Sequence, residues 1–438
     1  MEIFRTYDIR GKAPEDLNAE VVYKIGRAFA LYAGSSEIIV GRDCRLSSES
    51  LHSAFVAGIT DQGVDVIDIG LCSTPILYFA SKRGPAAMVT ASHMTREYNG
   101  VKFCGAGAFP VGADTGLLDI KKIFDKGKFP PAKRKGTVRT EDVLPAYVSH
   151  CLSFAKNIRP LTVVVDAGNG MGGLACAEIF KHLPCRLLPL FFEQDGSFPN
   201  HEANPLKPEN LFDLQKAVKK NNADIGAAYD ADCDRILFVD EKGQTVYGDT
   251  ILGLLALEFL KTDKGATVLY DLRTSHAVPE AISLAGGKPE RTVVGHALIK
   301  PLMKKRNAIF GGELSGHFYF RDNQFAESGD ITLILMLKLL SEENKPLSKL
   351  VKPFKKYAHS GEINFEVADR ELAMKKLRQT FPEAVVDMLD GITLTFDEWW
   401  FNARPSRNDP VLRVVVEAGT EKLMREKLAL ISEALHKI

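Results

Sequence analysis

An α/β chain of successive sheet-and-helix units, closed by a smaller α+β unit, is what the 438-residue sequence predicts. Three observations carry this. Strand-like runs at residues 37–40, 64–69 and 86–90 alternate with helical spacing at Val22, Ile25, Phe29 and at Leu51, Phe55, Ile59. That is a βαβαβ pattern implying a largely parallel sheet. The alternation returns twice: strand 161–166, helix 211–218 and strand 225–228, and then, from about Gly248, strands 268–270, 291–294 and 308–310 around a helix. From about Tyr357 the character changes, with strands 361–366, 392–396 and 412–417 followed by a helix over 421–437. The units divide at 1–135, 136–241, 242–355 and 356–438, and the Lys- and Pro-rich stretch 121–135 reads as a linker.

A single core is excluded at this length. Lys plus Arg and Asp plus Glu number 56 each, so no polyelectrolyte attraction to nucleic acid or membrane is implied, and the expected partner is a small molecule. Seven cysteines lie singly, with no Cys-x-x-Cys pair, against a zinc site or a disulfide framework. No apolar run approaches a bilayer span, and the opening MEIFRTYDIRG lacks the apolar centre of a signal peptide, so a cytoplasmic protein is expected.

Two distant stretches carry the chemistry. Residues 86–102, AAMVTASHMTREYNGVK, run from an apolar strand into a polar loop that opens with Ser92 and His93. Ligands gather at the carboxyl ends of strands in open α/β sheets, which would present Ser92 to a crevice; equally, Ser caps a following helix. Residues 227–234, AAYDADCD, set Asp230, Asp232 and Asp234 at alternate positions. Residues two apart in an extended segment point the same way, so the three carboxylates converge. Two like charges about 4 Å apart cost roughly 4 kcal/mol at an effective dielectric near 20. A divalent cation removes that cost, and oxygen-only ligands suit Mg²⁺. A solvated acidic loop is the alternative; Arg235 and the apolar run 236–239 favour an enclosed site.

Other stretches add groups. Arg10 and Gly11 of YDIRG could bring a guanidinium to a phosphate, or form a surface turn. The Gly-rich turn at 167–171 lacks the spacing of a dinucleotide fingerprint and reads as structural. His296 follows Gly295 at a strand end, and the glycines of GGELSGH (311–317) let Glu313, Ser315 and His317 project together toward sugar hydroxyls. Arg404, Ser406, Arg407 and Asn408, between prolines, can hold a phosphate dianion, or form a stiffened polar turn.

Taken in order, YDIRG, TASH with YNGVK, DADCDR, GGELSGH and ARPSRNDP resemble the motifs of the α-D-phosphohexomutase family, most closely its bacterial and archaeal phosphomannomutase/phosphoglucomutase branch. GRDCRLSS (41–48), VVVDAGNG (163–170) and HEANP (201–205) extend the likeness over nearly the whole chain. The resemblance implies four domains around a central cleft, three of like α/β topology and a fourth that is a phosphate-binding lid. By position it makes Ser92 a phosphoserine, with Asp230, Asp232 and Asp234 holding Mg²⁺ against it. It makes Lys102 a general base, His317 its counterpart on the opposite side, and Arg10 and Arg235 stabilisers of the transferring phosphoryl group. Glu313 and Ser315 would read sugar hydroxyls; Arg404, Ser406, Arg407 and Asn408, helped by Tyr7, Arg273 and His296, would grip the other phosphate.

The implied activity is interconversion of hexose 1-phosphate and hexose 6-phosphate, of mannose or glucose, through a hexose 1,6-bisphosphate that also activates the enzyme. A monomer or dimer is expected. Phosphoglucosamine mutase, a metal-dependent sugar phosphatase and a non-catalytic sugar-phosphate sensor are the competing expectations. Three departures from the family pattern stand out: SHMT in place of an Asn-Pro after the histidine, RPSRNDP in place of Arg-Pro-Ser-Asn-Thr-Glu-Pro, and Arg273 at a usual lysine. The last keeps charge but changes geometry.

Overall fold

A computed structural model describes residues 3–406 and 411–436; Arg407 and Asn408 of the expected phosphate loop lie outside the described residues. Four sheets organise the described residues. The first runs Ile9–Lys12, Tyr98–Gly105, Ala86–Val89, Glu37–Arg42, Asp65–Leu71, Val138–Thr140, with Phe109–Pro110 at the side. Its outer half is parallel, as expected, but Tyr98–Gly105 pairs antiparallel with both Ala86–Val89 and Ile9–Lys12, so the sheet is mixed. This strand escapes sequence patterning because Asn99, Gly100 and Lys102 interrupt its apolar run, yet all three are buried. Gly100 is needed there, since a Cβ would lie 2.2 Å from the Ile9 carbonyl oxygen.

The second sheet runs Thr245–Val246, Ile236–Asp240, Ile225–Tyr229, Thr162–Asp166, Arg186–Leu190, and the third Lys288–Thr292, Thr267–Asp271, Phe310–Gly312, Phe318–Phe320, Ala326–Glu327. The fourth, wholly antiparallel, holds Ala358–His359, Val411–Ala418, Trp399–Pro405, Ile392–Thr395 and Val385–Asp387, with Ile363–Glu366 beside Val411–Ala418. The stretch read as a linker is helical over Leu117–Lys126, and the chain then returns to the first sheet as Val138–Thr140, beyond residue 135. Likewise Thr245–Val246 still pairs in the second sheet, beyond residue 241.

One buried apolar cluster runs from Ile39 and Leu77 through Val163 and Ile225 to Leu255 and Phe318, joining the first three domains; the fourth keeps its own around Leu377, Phe401 and Val414. Within the first domain, helix Ala19–Ala33 is capped by Asn18, whose side chain accepts from Val21 N–H, and ends at left-handed Gly34. It lies directly on helix Ser48–Asp61, because Gly26 and Gly58 face each other's backbone: a Cβ on Gly58 would come within 2.1 Å of the Tyr23 carbonyl oxygen. Gly58→Ala should therefore destabilise the protein by about 1–3 kcal/mol in urea unfolding, through overpacking that no rotamer relieves. An unchanged midpoint would mean the helices slide apart freely.

Candidate active site

Three loops, one from each of the first three domains, meet at one point. The first leaves Ala86–Val89 and returns as Tyr98–Gly105. No helix follows Ser92, so it caps nothing. Its φ is 52°, in the left-handed region that non-glycine residues seldom enter. Its N–H donates to Thr90 Oγ1 at 3.0 Å, and its Oγ donates to Asp230 Oδ2 at 3.0 Å, with His93 Nδ1 3.3 Å away.

The second loop is the acidic one, and it is not extended. Strand Ile225–Tyr229 stops before Asp230, and the chain turns through Cys233, at φ 65°, into Ile236–Asp240. The turn gathers the carboxylates that strand alternation was expected to align. They are 0, 0 and 3 % exposed, with oxygens within 4.8 Å of one another. Burial, with Asp234 and Asp232 nearby, raises the Asp230 carboxyl well above the usual range. Burial also opposes ionisation of Asp234, but Lys102 and His317 hold it well below that range. Lys102, on the strand opposite, donates to Asp232 Oδ2 and Asp234 Oδ2, both at 2.7 Å. Burial disfavours its charge, yet the two carboxylates outweigh burial and raise its pKa. Thr74 is a member that sequence reasoning missed: its hydroxyl donates to Asp232 Oδ2 at 2.6 Å and its N–H to the Asp232 carbonyl at 2.9 Å. In sequence, Ser73, Thr74 and Pro75 signal only a helix start.

Asp232 Oδ1 is buried without a hydrogen-bond partner, and Asp234 Oδ1 has only the longer approaches of His317 Nε2 at 3.4 Å and Arg235 Nε at 3.9 Å. Hard oxygen donors with such unsatisfied capacity fit a divalent cation.

The third loop is the turn between Phe310–Gly312 and Phe318–Phe320, closed by Gly316 at φ 87°. His317 Nε2 lies 3.4 Å from Asp234 Oδ1, and Nδ1 lies 3.1 Å from Glu313 Oε2 and 3.1 Å from Ser315 Oγ. Burial disfavours the imidazolium, but Asp234, resisted by Arg235 and seconded by Glu313, raises its pKa to about 9. Arg235 Nε–H points at the same His317 Nε2 from 3.2 Å, so that nitrogen lies between a guanidinium and the Asp234 carboxylate. Arg235 stands 3.9 Å from both Asp230 and Asp234. Glu313 also accepts Gly295 N–H at 2.9 Å and Tyr319 O–H at 2.7 Å, which fixes the turn.

Around these loops stand the remaining expected groups. Arg10 pairs with Asp8 at 2.8 Å and lies in the field of Asp232 and Asp234. Tyr7 donates to the Val294 carbonyl at 3.0 Å, and its ring lies 5.5 Å from that of His296. Gly295, at φ 125°, makes room: a Cβ there would be 2.3 Å from the Tyr7 hydroxyl. Burial, then Lys300 and Lys102, lower the His296 pKa well below its usual value. Arg273 forks onto Asp271, with Nη2 at 2.6 Å, lies 3.8 Å from Glu313, and donates to Glu362 Oε2 of the fourth domain at 3.1 Å. Glu362, unsignalled in the sequence, also accepts from Arg404 at 2.7 Å and Arg413 at 3.2 Å. Arg404 thus joins the site through Glu362 and Arg273, and Ser406, two residues on and buried, donates its N–H to the Val411 carbonyl.

Sequence models of the phosphoglucomutase/phosphomannomutase family match domain by domain: alpha/beta/alpha domain I over residues 1–131, domain II over 145–243 and domain III over 247–357. A phosphomannomutase of Escherichia coli is 40% identical over 440 residues, covering 97% of this chain and 96% of the relative. Phosphohexose mutases of Xanthomonas campestris are similar at 39% identity, covering 99% and 98%. The crystal structure of a phosphoglucomutase/phosphomannomutase family protein from Burkholderia thailandensis superimposes with a TM-score of 0.91 at 32% identity, over 99% of this chain and 97% of that one. Matched from end to end in sequence and in backbone, and carrying a serine, a lysine and an acid triad at the meeting point of its domains, the chain belongs to the phosphoglucomutase/phosphomannomutase family and is a phosphohexomutase.

Proposed function

We propose that this mutase interconverts the 1- and 6-phosphates of mannose and/or glucose, with Ser92 carrying the phosphoryl group and a hexose 1,6-bisphosphate as intermediate and activator. The observation that carries the reading is the 3.0 Å hydrogen bond from Ser92 Oγ to Asp230, formed across 138 residues inside a buried acid cluster. The free hydroxyl of the sugar attacks phosphorus, the bond to Ser92 Oγ breaks, and the hydroxyl proton passes to a base. The bisphosphate turns over in the cleft and its other phosphoryl group returns to Ser92. Asp230, Asp232 and Asp234, with the oxygens on Ser92, would hold Mg²⁺, which when bound offsets the negative charge of the cluster and polarises the phosphoryl oxygens.

Lys102 as bonded here is an ammonium, and it becomes a base near neutral pH only where its two carboxylates are neutralised otherwise. His317, cationic beside Asp234, fits the acid on the other side. Arg10 and Arg235 supply fixed positive charge for the transferring group. Glu313 and Ser315 read the sugar hydroxyls. Arg404, Ser406, Arg407 and Asn408 grip the phosphate that is not reacting, helped by Tyr7 and His296, with Arg273 tying that grip to the third domain.

In a coupled assay with Mg²⁺ and bisphosphate primer, mannose and glucose 1-phosphates should yield 6-phosphates without stoichiometric inorganic phosphate; phosphate release in place of isomer would make the protein a phosphatase, and preference for glucosamine 1-phosphate would reassign the sugar. Ser92→Ala should lower mutase turnover by about 10³-fold or more, as expected for loss of a covalent nucleophile.

A pH dependence follows from His317. Its folded pKa, about 9, lies above the ordinary 6.5, so its contribution to stability is complete below about pH 6.5 and is lost as pH rises through 9. His317→Gln should flatten the alkaline limb of a plot of unfolding midpoint against pH; parallel limbs in the two proteins would place the imidazolium elsewhere.

A further inference from the structure

The motif GRDCRLSS at 41–48 has no part in the mechanism above, yet its second arginine, Arg45, is the largest charged side chain wholly buried among the described residues. We propose that Arg45 is the positioning residue of the phosphoserine loop. Its guanidinium is 0% exposed, and all four of its terminal hydrogen bonds go to backbone carbonyls of that one loop. Nη2 donates to Ser92 O at 2.6 Å and Met94 O at 2.7 Å; Nη1 donates to Thr95 O at 2.8 Å and Tyr98 O at 3.0 Å. Nε stands 3.2 Å from Asp43 Oδ2, which balances the charge. Asp43 is itself pinned, accepting from Arg45 N–H and Ser48 Oγ while its own N–H donates to the Val89 carbonyl at the end of the strand that leads to Ser92.

The loop needs such a support. Between Ala91 and Tyr98 it contains no proline and makes few backbone hydrogen bonds of its own, Met94 N–H to Ala91 O at 3.2 Å and Tyr98 N–H to Thr95 O at 3.1 Å. Ser92 is nonetheless held at a positive φ, which persists only where the surroundings over-determine it. A planar fork satisfies four convergent acceptors at once, and it turns those oxygens toward a buried cation, so they are not free to face an anionic phosphoryl group. The support is shared with the second domain: the Phe198 ring lies 5.1 Å from the guanidinium carbon, and Gly196 packs so closely that a Cβ would be 2.4 Å from the Cys44 carbonyl oxygen. From there Cys44 Sγ donates to Asn169 O at 3.4 Å, and Met171 N–H donates to Ala231 O at 2.8 Å inside the acidic loop. Arg45 thus fixes Ser92 relative to the aspartates as well as within its own loop.

The inference rests on Ser92 as phosphoryl carrier, and the test separates the two. Arg45→Lys keeps the charge but cannot span four carbonyls. It should lower kcat by about 10–100-fold, the scale of a 1 Å misplacement, with KM within about threefold. It should also raise inorganic phosphate released per isomer formed, because a loosened loop admits water: its oxygen attacks phosphorus, the Ser92 Oγ–P bond breaks, and Oγ regains a proton. Amide exchange over residues 92–98 should quicken while that over 230–235 stays unchanged. Phe198→Leu, which keeps the arginine and removes the ring against it, should move each readout the same way to a smaller extent, and it stands in if Arg45→Lys does not fold. Unchanged partition to water and unchanged exchange, or a kcat loss that only tracks a lower melting temperature, would overturn the proposal. A wild-type enzyme that isomerises without ever labelling Ser92 would instead remove the carrier.

Discussion

Asp230, Asp232 and Asp234 hold their carboxylates within 4.8 Å of one another and almost out of contact with solvent. At such separations each ionised pair repels by roughly 4 kcal/mol even at an effective dielectric near 20, and burial removes the water that would soften it. No single domain carries enough cations to answer this. Lys102 arrives on a strand of the first, Arg235 on the loop of the second and His317 on a turn of the third. The shared apolar cluster beneath the three domains is the counterpart of this arrangement, because the charges balance only while the domains stay together. The acid cluster is a poor contributor to stability and a good place to handle phosphate, since a site that must import positive charge also suits an anion.

The same alternation of sign continues outward. From Asp234 it passes to His317 at 3.4 Å, Glu313 at 3.1 Å, Arg273 at 3.8 Å, Glu362 at 3.1 Å and Arg404 at 2.7 Å, crossing into the fourth domain. That domain has its own core, so Glu362, which serves Arg273, Arg404 and Arg413 together, is a principal tie at this junction. Here the arginine at position 273 explains itself. Its fork pairs with Asp271 while another nitrogen reaches Glu362, two tasks that a lysine's single ammonium could not combine at these distances. A phosphate dianion is the natural competitor of Glu362 for Arg404.

The chemistry was more legible in the sequence than the geometry. Ser92, the aspartates, Arg235 and His317 stand out by residue type, Lys102 only by the family resemblance, and they do meet. A turn through left-handed Cys233, and not strand alternation, gathers the aspartates, and side-chain alternation cannot reveal a turn whose cysteine occupies a conformation usual for glycine or asparagine. Strand Tyr98–Gly105 was hidden by the polar residues the site itself requires. Thr74, Arg45 and Glu362 were illegible for a common reason: each reads as an ordinary cap or surface charge until the structure shows which distant backbone or side chain it satisfies.

Behind the acidic loop stands a second buried support, with the charges reversed. Tyr229, the residue before Asp230, donates its O–H to Asp330 Oδ1 at 3.0 Å, and Tyr147 donates to Oδ2 at 2.9 Å. Gly329 N–H, at the start of helix Gly329–Glu343, donates to the Cys233 carbonyl at 3.2 Å, and a Cβ on Gly329 would sit 2.7 Å from the Tyr229 ring. Burial lifts the Asp330 carboxyl to about 6 although both tyrosines favour its ionised form. An interior anion thus collects hydroxyl donors from two elements and locates the strand end that carries the aspartates, just as an interior cation collects carbonyls and locates the serine. Neither group needs to touch a ligand. Each converts the low dielectric of the core, where an unsatisfied charge is costly, into a narrow choice of positions for the loop it holds. A transfer that depends on the separation of Ser92 and Asp230 therefore depends on two ions placed behind them, on elements other than their own.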